Sequence, residues 1–96
     1  MALLVKADGR IQIVLPLVGG EFSLTELQDF VGGYIEVLKI HGSVDGYEGE
    51  FEMMFCNEQG KIEGMPINLI ATALYVYGSR DPVVGDVLLC KPGEVS

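Results

Sequence analysis

The single histidine, His41, and the four serines, Ser23, Ser43, Ser79 and Ser96, are the groups from which a hydroxyl nucleophile and its base would have to be assembled. Such a site needs the base within hydrogen-bond reach of the nucleophile and a third group to orient it. Nothing in the local sequence sets His41 beside a serine in that way. Ser23 opens a helix, and His41 closes a β-rich run, where a histidine is ordinarily exposed or hydrogen-bonded. Cys56 and Cys90 each sit in an apolar stretch, Met53-Met54-Phe55-Cys56 and Val87-Leu88-Leu89-Cys90. Two such residues read as reduced core thiols of a cytoplasmic protein, with a disulfide between neighbouring strands as the alternative. Two cysteines and one distant histidine lack the clustered spacing of a zinc site. The glycines do not form a phosphate loop: Gly32-Gly33 falls at a helix end whose dipole repels anions, and no Lys-Ser or Lys-Thr follows Gly78. No enzymatic activity and no cofactor are therefore expected.

The carboxylates carry more information. Glu48, Glu50 and Glu52 alternate with Gly49, Phe51 and Met53, so an extended strand places all three on one face, about 6.6 Å apart. Asp45 and Glu58 extend that surface. It reads either as the solvated outer face of an edge strand or as a docking surface for a basic partner. Three carboxylates are too few to establish mimicry of a DNA charge array. Asp81 and Asp86 with Arg80 form a second charged group, explained by a salt bridge or a turn hydrogen bond. Phosphate could be met only by Lys6, Arg10, Lys39, Lys61, Arg80 and Lys91. Of these, Lys61 and Arg80, doubled at a dimer interface, are the candidates for a nucleotide-binding alternative.

The elements that must position these groups follow from composition and pattern. The 96 residues suit one domain spanning 1–96, and 49% hydrophobic content is enough for a core. A formal charge of −8 repels nucleic acid and anionic membranes and favours basic partners. No apolar run reaches membrane-spanning length, and Lys6-Ala7-Asp8 interrupts the apolar start before it resembles a signal peptide. A soluble, cytoplasmic protein is expected. Thirteen glycines and four prolines suit many tight connections between short elements.

Strands are predicted over Leu3–Ala7 and Arg10–Leu15, joined through Asp8-Gly9 with both turn positions open to positive φ. Ser23-Leu24-Thr25-Glu26 is a capping box, followed by Leu24, Leu27, Phe30 and Val31 at helical spacing and a stop at Gly32-Gly33. Tyr34–His41 alternates as a strand, Gly42–Gly49 is a turn, and Glu50–Asn57 is the next strand. Asn57-Glu58-Gln59-Gly60 makes a turn in which Gly60 supplies positive φ, with Lys61–Glu63 pairing back briefly. Asn68 caps a second helix with Ile70, Leu74 and Tyr77 on its inner face, while Tyr75 and Tyr77 point apart. Val84–Lys91 is a final strand suited to the sheet centre, and the tail beyond Pro92 is loose. The expected architecture is α+β: a mostly antiparallel sheet of about five strands in ββαββαβ order, with both helices packed on one face.

Gly32-Gly33-Tyr34-Ile35-Glu36-Val37, Asn57-Glu58-Gln59-Gly60-Lys61, Gly64-Met65-Pro66-Ile67-Asn68 leading to Ala71-Thr72, and Val83-Val84-Gly85-Asp86-Val87 occur in that order. In this the chain resembles the domain of unknown function 3846 family, small proteins of bacteria, their phages and mobile elements. The resemblance runs from the first helix to the last strand. It implies a small accessory protein and transfers no catalytic or binding residue. The expected function is non-enzymatic binding of a host protein through the acidic surface of Glu48, Glu50 and Glu52, with homo-oligomerisation left open. The alternative is binding or sequestration of a nucleotide signal.

Overall fold

The computed structural model describes residues 1–95, so Ser96 lies outside the described residues. Its elements are β1 (Ala2–Val5), β2 (Ile11–Val14), α1 (Leu24–Val31), β3 (Ile35–Gly42), β4 (Phe51–Asn57), α2 (Leu69–Leu74) and β5 (Val87–Cys90). One sheet has the strand order β2-β1-β5-β4-β3, with every neighbouring pair antiparallel. The α+β class, the ββαββαβ order and the central place of the last strand all agree with the sequence reading. β2 and β3 are the sheet edges.

The two helices do not share a face. Every residue of β1 and β5 is buried, and alternation along a strand divides each between two separate cores. Ala2, Leu4, Phe55, Leu88 and Cys90 pack with Leu27 and Val31 of α1. Leu3, Val5, Met54, Cys56, Val87 and Leu89 pack with Ala71 of α2. The physical reason is written in the strands: Ala-Leu-Leu-Val and Val-Leu-Leu-Cys are apolar on both sides, and a sheet apolar on both sides needs cover on both. Cys56 and Cys90 are free and buried. They lie in opposite cores, so no disulfide joins them.

The β1–β2 connection departs from a two-residue turn. Gly9 has φ +95°, but Asp8 does not have positive φ. The Gly9 amide donates to the Lys6 carbonyl at 2.9 Å and the Lys6 amide to the Arg10 carbonyl at 2.8 Å. This is a type I turn closed by a left-handed glycine, which leaves Asp8 unstrained. Its carboxylate instead accepts from the Arg10 amide and Nε. Both halves of the α1 capping box are present. Glu26 also accepts from the Leu17 amide at 2.9 Å, fixing the loop that enters the helix. These backbone donors hold its carboxyl below the usual carboxylate range. α1 buries Leu27 and Val31 and half-buries Phe30, whereas Leu24, expected inside, is 59% exposed.

In the second half, α2 ends at Leu74, a turn earlier than its apolar spacing suggests. Tyr77 therefore lies beyond the helix and is exposed, and its ring meets Tyr75 edge-on at 5.6 Å instead of pointing away. Lys61–Glu63 does not pair as a strand. It belongs to turns in which Glu63 donates to the Gln59 carbonyl and Met65 to that of Gly60. Gly60 does not have positive φ. It is small because a Cβ there would lie 2.9 Å from Val84 Cγ2 and 3.3 Å from the Asn57 carbonyl. The segment after Pro92 is also tied down. Glu94 is buried, accepts from the Lys91 amide at 2.6 Å and pairs with the Met1 amino group at 2.8 Å.

Asn68 caps α2 as expected, but it is also buried to 1% exposure. Its Oδ1 accepts from the Ala71 amide at 3.0 Å, and its Nδ2 donates to the carbonyls of Val5 and Gly85, each at 2.9 Å. Asn68→Ala should lower unfolding stability by about 3 kcal/mol, a cap plus two buried carbonyls left unpaired. Asn68→Asp keeps the cap acceptor but turns an oxygen towards both carbonyls. Urea denaturation should show it to be destabilised nearly as much, whereas a residue acting only as a cap would tolerate it.

Candidate functional site

The exposed backbone of β3 has a defined polarity. The Tyr34 carbonyl accepts from the Glu58 amide at 2.8 Å, and Glu36 and Leu38 lie opposite Cys56 and Met54. In an antiparallel ladder alternate residues bond inward. Tyr34, Glu36 and Leu38 therefore pair with β4, and the N–H and C=O groups of Ile35, Val37 and Lys39 point away from the sheet. Beyond Lys39 the register shifts before Gly42 meets Phe51, a bulge that ends this regular stretch.

Each face beside this edge is hollow. On the α2 face a cleft of about 220 Å³ is bordered by Glu36 and Leu38 of β3, Glu58 and Lys61 of the following turn, and Tyr75 past α2. Asp81, Pro82, Val83 and Val84 close its far side. The cleft exists because α2 stops short, leaving only Tyr75 and the Pro82 loop over that part of the sheet. On the α1 face a groove of about 320 Å³, its described lining side chains apolar, runs beside Ile35 and Val37, with Leu24, Leu27, Met53 and Phe55 along it. Val37, 49% exposed, stands at its rim. A further recess lies between His41 and Leu74.

The charges of the α2-side cleft are mostly negative. Lys61 is engaged by Asp81. Glu36 and Glu58 are exposed carboxylates with no salt-bridge partner among the described residues. At the cleft floor the Cys56 thiol donates towards the Glu36 carbonyl at 3.7 Å and Oε1 at 3.8 Å. Burial, reinforced by the Glu36 charge, pushes this thiol from 9.0 up to about 11. It therefore stays protonated at neutral pH and is a poor nucleophile. Cys90 is pushed up to about 12 by burial and then by Glu94.

The structure separates the residues that the sequence groups by spacing. Only Glu52 of the acidic triad lies in a strand; Glu48 and Glu50 precede it. Gly49, at φ +88°, breaks the extended backbone on which the shared face depends. Glu50 turns to His41, with Oε2 3.2 Å from Nε2, and both side chains are exposed. Lys61 lines the cleft but is held by Asp81, and Arg80 does not line it. The two are not brought together as an anion site. Asp86 is apart from Asp81, accepting from the Ala7 amide at 2.9 Å with Lys6 Nζ 3.7 Å away. Glu58, expected to extend the acidic surface with Asp45, borders the α2-side cleft, while Glu36 and Val37 were not expected as site residues. Their one sequence signal is that Tyr34–His41 carries apolar side chains on both faces with a glutamate between them.

These features define an α+β protein built on an antiparallel sheet with a helix on each face and an open, recess-flanked edge. The family model for the domain of unknown function DUF3846 matches residues 2–95, and the chain belongs to that family. No curated protein and no solved structure matches it. Among the described residues, no helix is long and apolar enough to cross a membrane, and no group of three or more His, Cys, Asp or Glu is arranged to hold a metal ion.

Both thiols hold their protons to higher pH in the folded chain than in the unfolded one. Their contribution is therefore constant below about pH 9 and is lost as pH rises towards 11 and 12. Unfolding stability measured against pH should fall from about pH 9 upward, and Cys56→Ala with Cys90→Ala should make that fall shallower. An unchanged slope in the double variant would mean that neither thiol is shifted.

Proposed function

We propose that this chain is a protein-binding module, without catalysis of its own, that receives an extended segment of a partner as an added strand along β3. The observation that carries this reading is the outward-facing backbone of Ile35, Val37 and Lys39 with recesses on both faces at the alternating side chains. Strand addition draws affinity from main-chain hydrogen bonds and selectivity from pockets for alternate side chains. β2, the other edge, has four residues and is followed closely by Pro16, so it offers less. Lys39 and the bulge beyond it are devices that discourage indefinite strand pairing, and they confine the open stretch to Ile35–Lys39.

A net charge of −8 works against association with a second copy and favours a different, basic protein. The acidic hairpin carrying Asp45, Glu48, Glu50 and Glu52 would draw such a partner towards this edge. That the partner belongs to a host cell is part of the proposal, in keeping with the phage and mobile-element setting of the resemblance. The free, buried Cys56 and Cys90 are in keeping with action in the reducing cytoplasm.

In protein isolated gently from its natural host, a bound partner should slow amide exchange at Ile35, Val37 and Lys39. Val37→Pro removes an outward-facing N–H and no ladder bond. It should release that partner while leaving the melting temperature within about 5 °C of the parent. Retention of the partner by a folded V37P chain would remove the β3 edge from the proposal.

A further inference from the structure

The recesses on the two faces of β3 differ in chemistry, and the period of two in a strand keeps that difference in register with whatever lies against the edge. On the α1 side, Ile35 and Val37 adjoin a groove whose described lining side chains are all apolar. On the α2 side, Glu36 and Leu38 adjoin a cleft whose free charges are the carboxylates of Glu36 and Glu58. That cleft also has an apolar wall of Leu38, Tyr75, Pro82 and Val83. An apolar wall ending at carboxylates suits a long side chain with an apolar stem and a cationic head. At about 220 Å³ the cleft falls below the ~300 Å³ at which pockets for whole small molecules begin, so it suits one side chain.

Resting on the strand-addition reading, we propose that the partner strand is amphipathic, with apolar side chains entering the α1-side groove and alternating with arginine or lysine on the α2 side. One of those cations sits in the cleft, its stem along Leu38 and Tyr75 and its head against Glu36 and Glu58. A strand with carboxylates at the same positions would meet like charge and be rejected. Two partly solvated charge pairs supply about tenfold in affinity, enough to choose between strands that hydrogen-bond equally well.

The probe is a short peptide alternating valine and arginine, beside counterparts carrying citrulline or glutamate in place of arginine. Each is titrated into the intact chain while backbone amide resonances are followed by NMR. The arginine peptide should shift the Ile35, Val37 and Lys39 amides and bind about tenfold more tightly than the citrulline peptide, with the glutamate peptide weakest. Glu36→Gln combined with Glu58→Gln should abolish the preference for arginine and leave the citrulline affinity unchanged.

Equal affinities for arginine and citrulline, both read at β3, would overturn the cation pocket and leave strand addition standing. An arginine preference that survives the double variant would place the cation elsewhere on the acidic surface, with the same consequence. No shift at β3 with any peptide would overturn strand addition itself. β3 shifts that track protein concentration alone would mean that a second copy fills the edge, and the proposal would fail.

Discussion

A primary amide can donate two hydrogen bonds and accept two, and inside a protein each one left unmade is costly. Asn68 commits its side chain to three segments that are distant in sequence: the end of β1 through Val5, the approach to β5 through Gly85, and the first turn of α2 through Ala71. A helix of six residues has little stability of its own. α2 is positioned because a buried polar group fixes its start, and because Thr72 Oγ1 holds the Val83 amide at 2.9 Å one turn later. Asn57 plays the matching part on the other layer. Its Nδ2 donates to the Val31 carbonyl at the end of α1, and its Oδ1 accepts from Gln59. Two buried asparagines thus dock one helix to each face of the sheet.

The cover they provide is incomplete in a specific direction. β1 and β5 are apolar on both sides and occupy the middle, so the helices and loops are drawn there first. β3 lies two strands from the centre at the margin of that cover, and only Ile40 along it is buried. The cleft and the groove are the remaining gaps between short helices and a sheet wider than they can span. The central packing leaves the outer strand open to solvent on both faces as well as along its edge.

What was legible in the sequence was local. The Ser23–Glu26 capping box, the Gly32 stop, the Asn68 cap and the alternation of Tyr34–His41 depend on neighbours within a few residues, and each appears in the structure. The layering went the other way: one covered face was expected, although the continuous apolar runs in β1 and β5 demand cover on both. The acidic triad misleads because alternation implies a shared face only while every intervening residue is extended, and Gly49 is not. The cleft had no local signature, since its walls come from segments as far apart as Glu36 and Val84. Nor did Glu94, whose buried carboxylate is met by the Met1 amino group from across the fold and by the Lys91 amide.

The central position of β5 also bears on how this chain comes into being. During synthesis β1–β2 and β3–β4 emerge as separate two-stranded hairpins, and such hairpins are at best marginally stable alone. Neither pairs with the other until Val87–Cys90 lies between them. Folding of this sheet therefore waits until Val87–Cys90 has been made. A ribosome product interrupted before Val87 would leave β1 and β4 as bare, apolar edges, the form that chaperones and proteases engage.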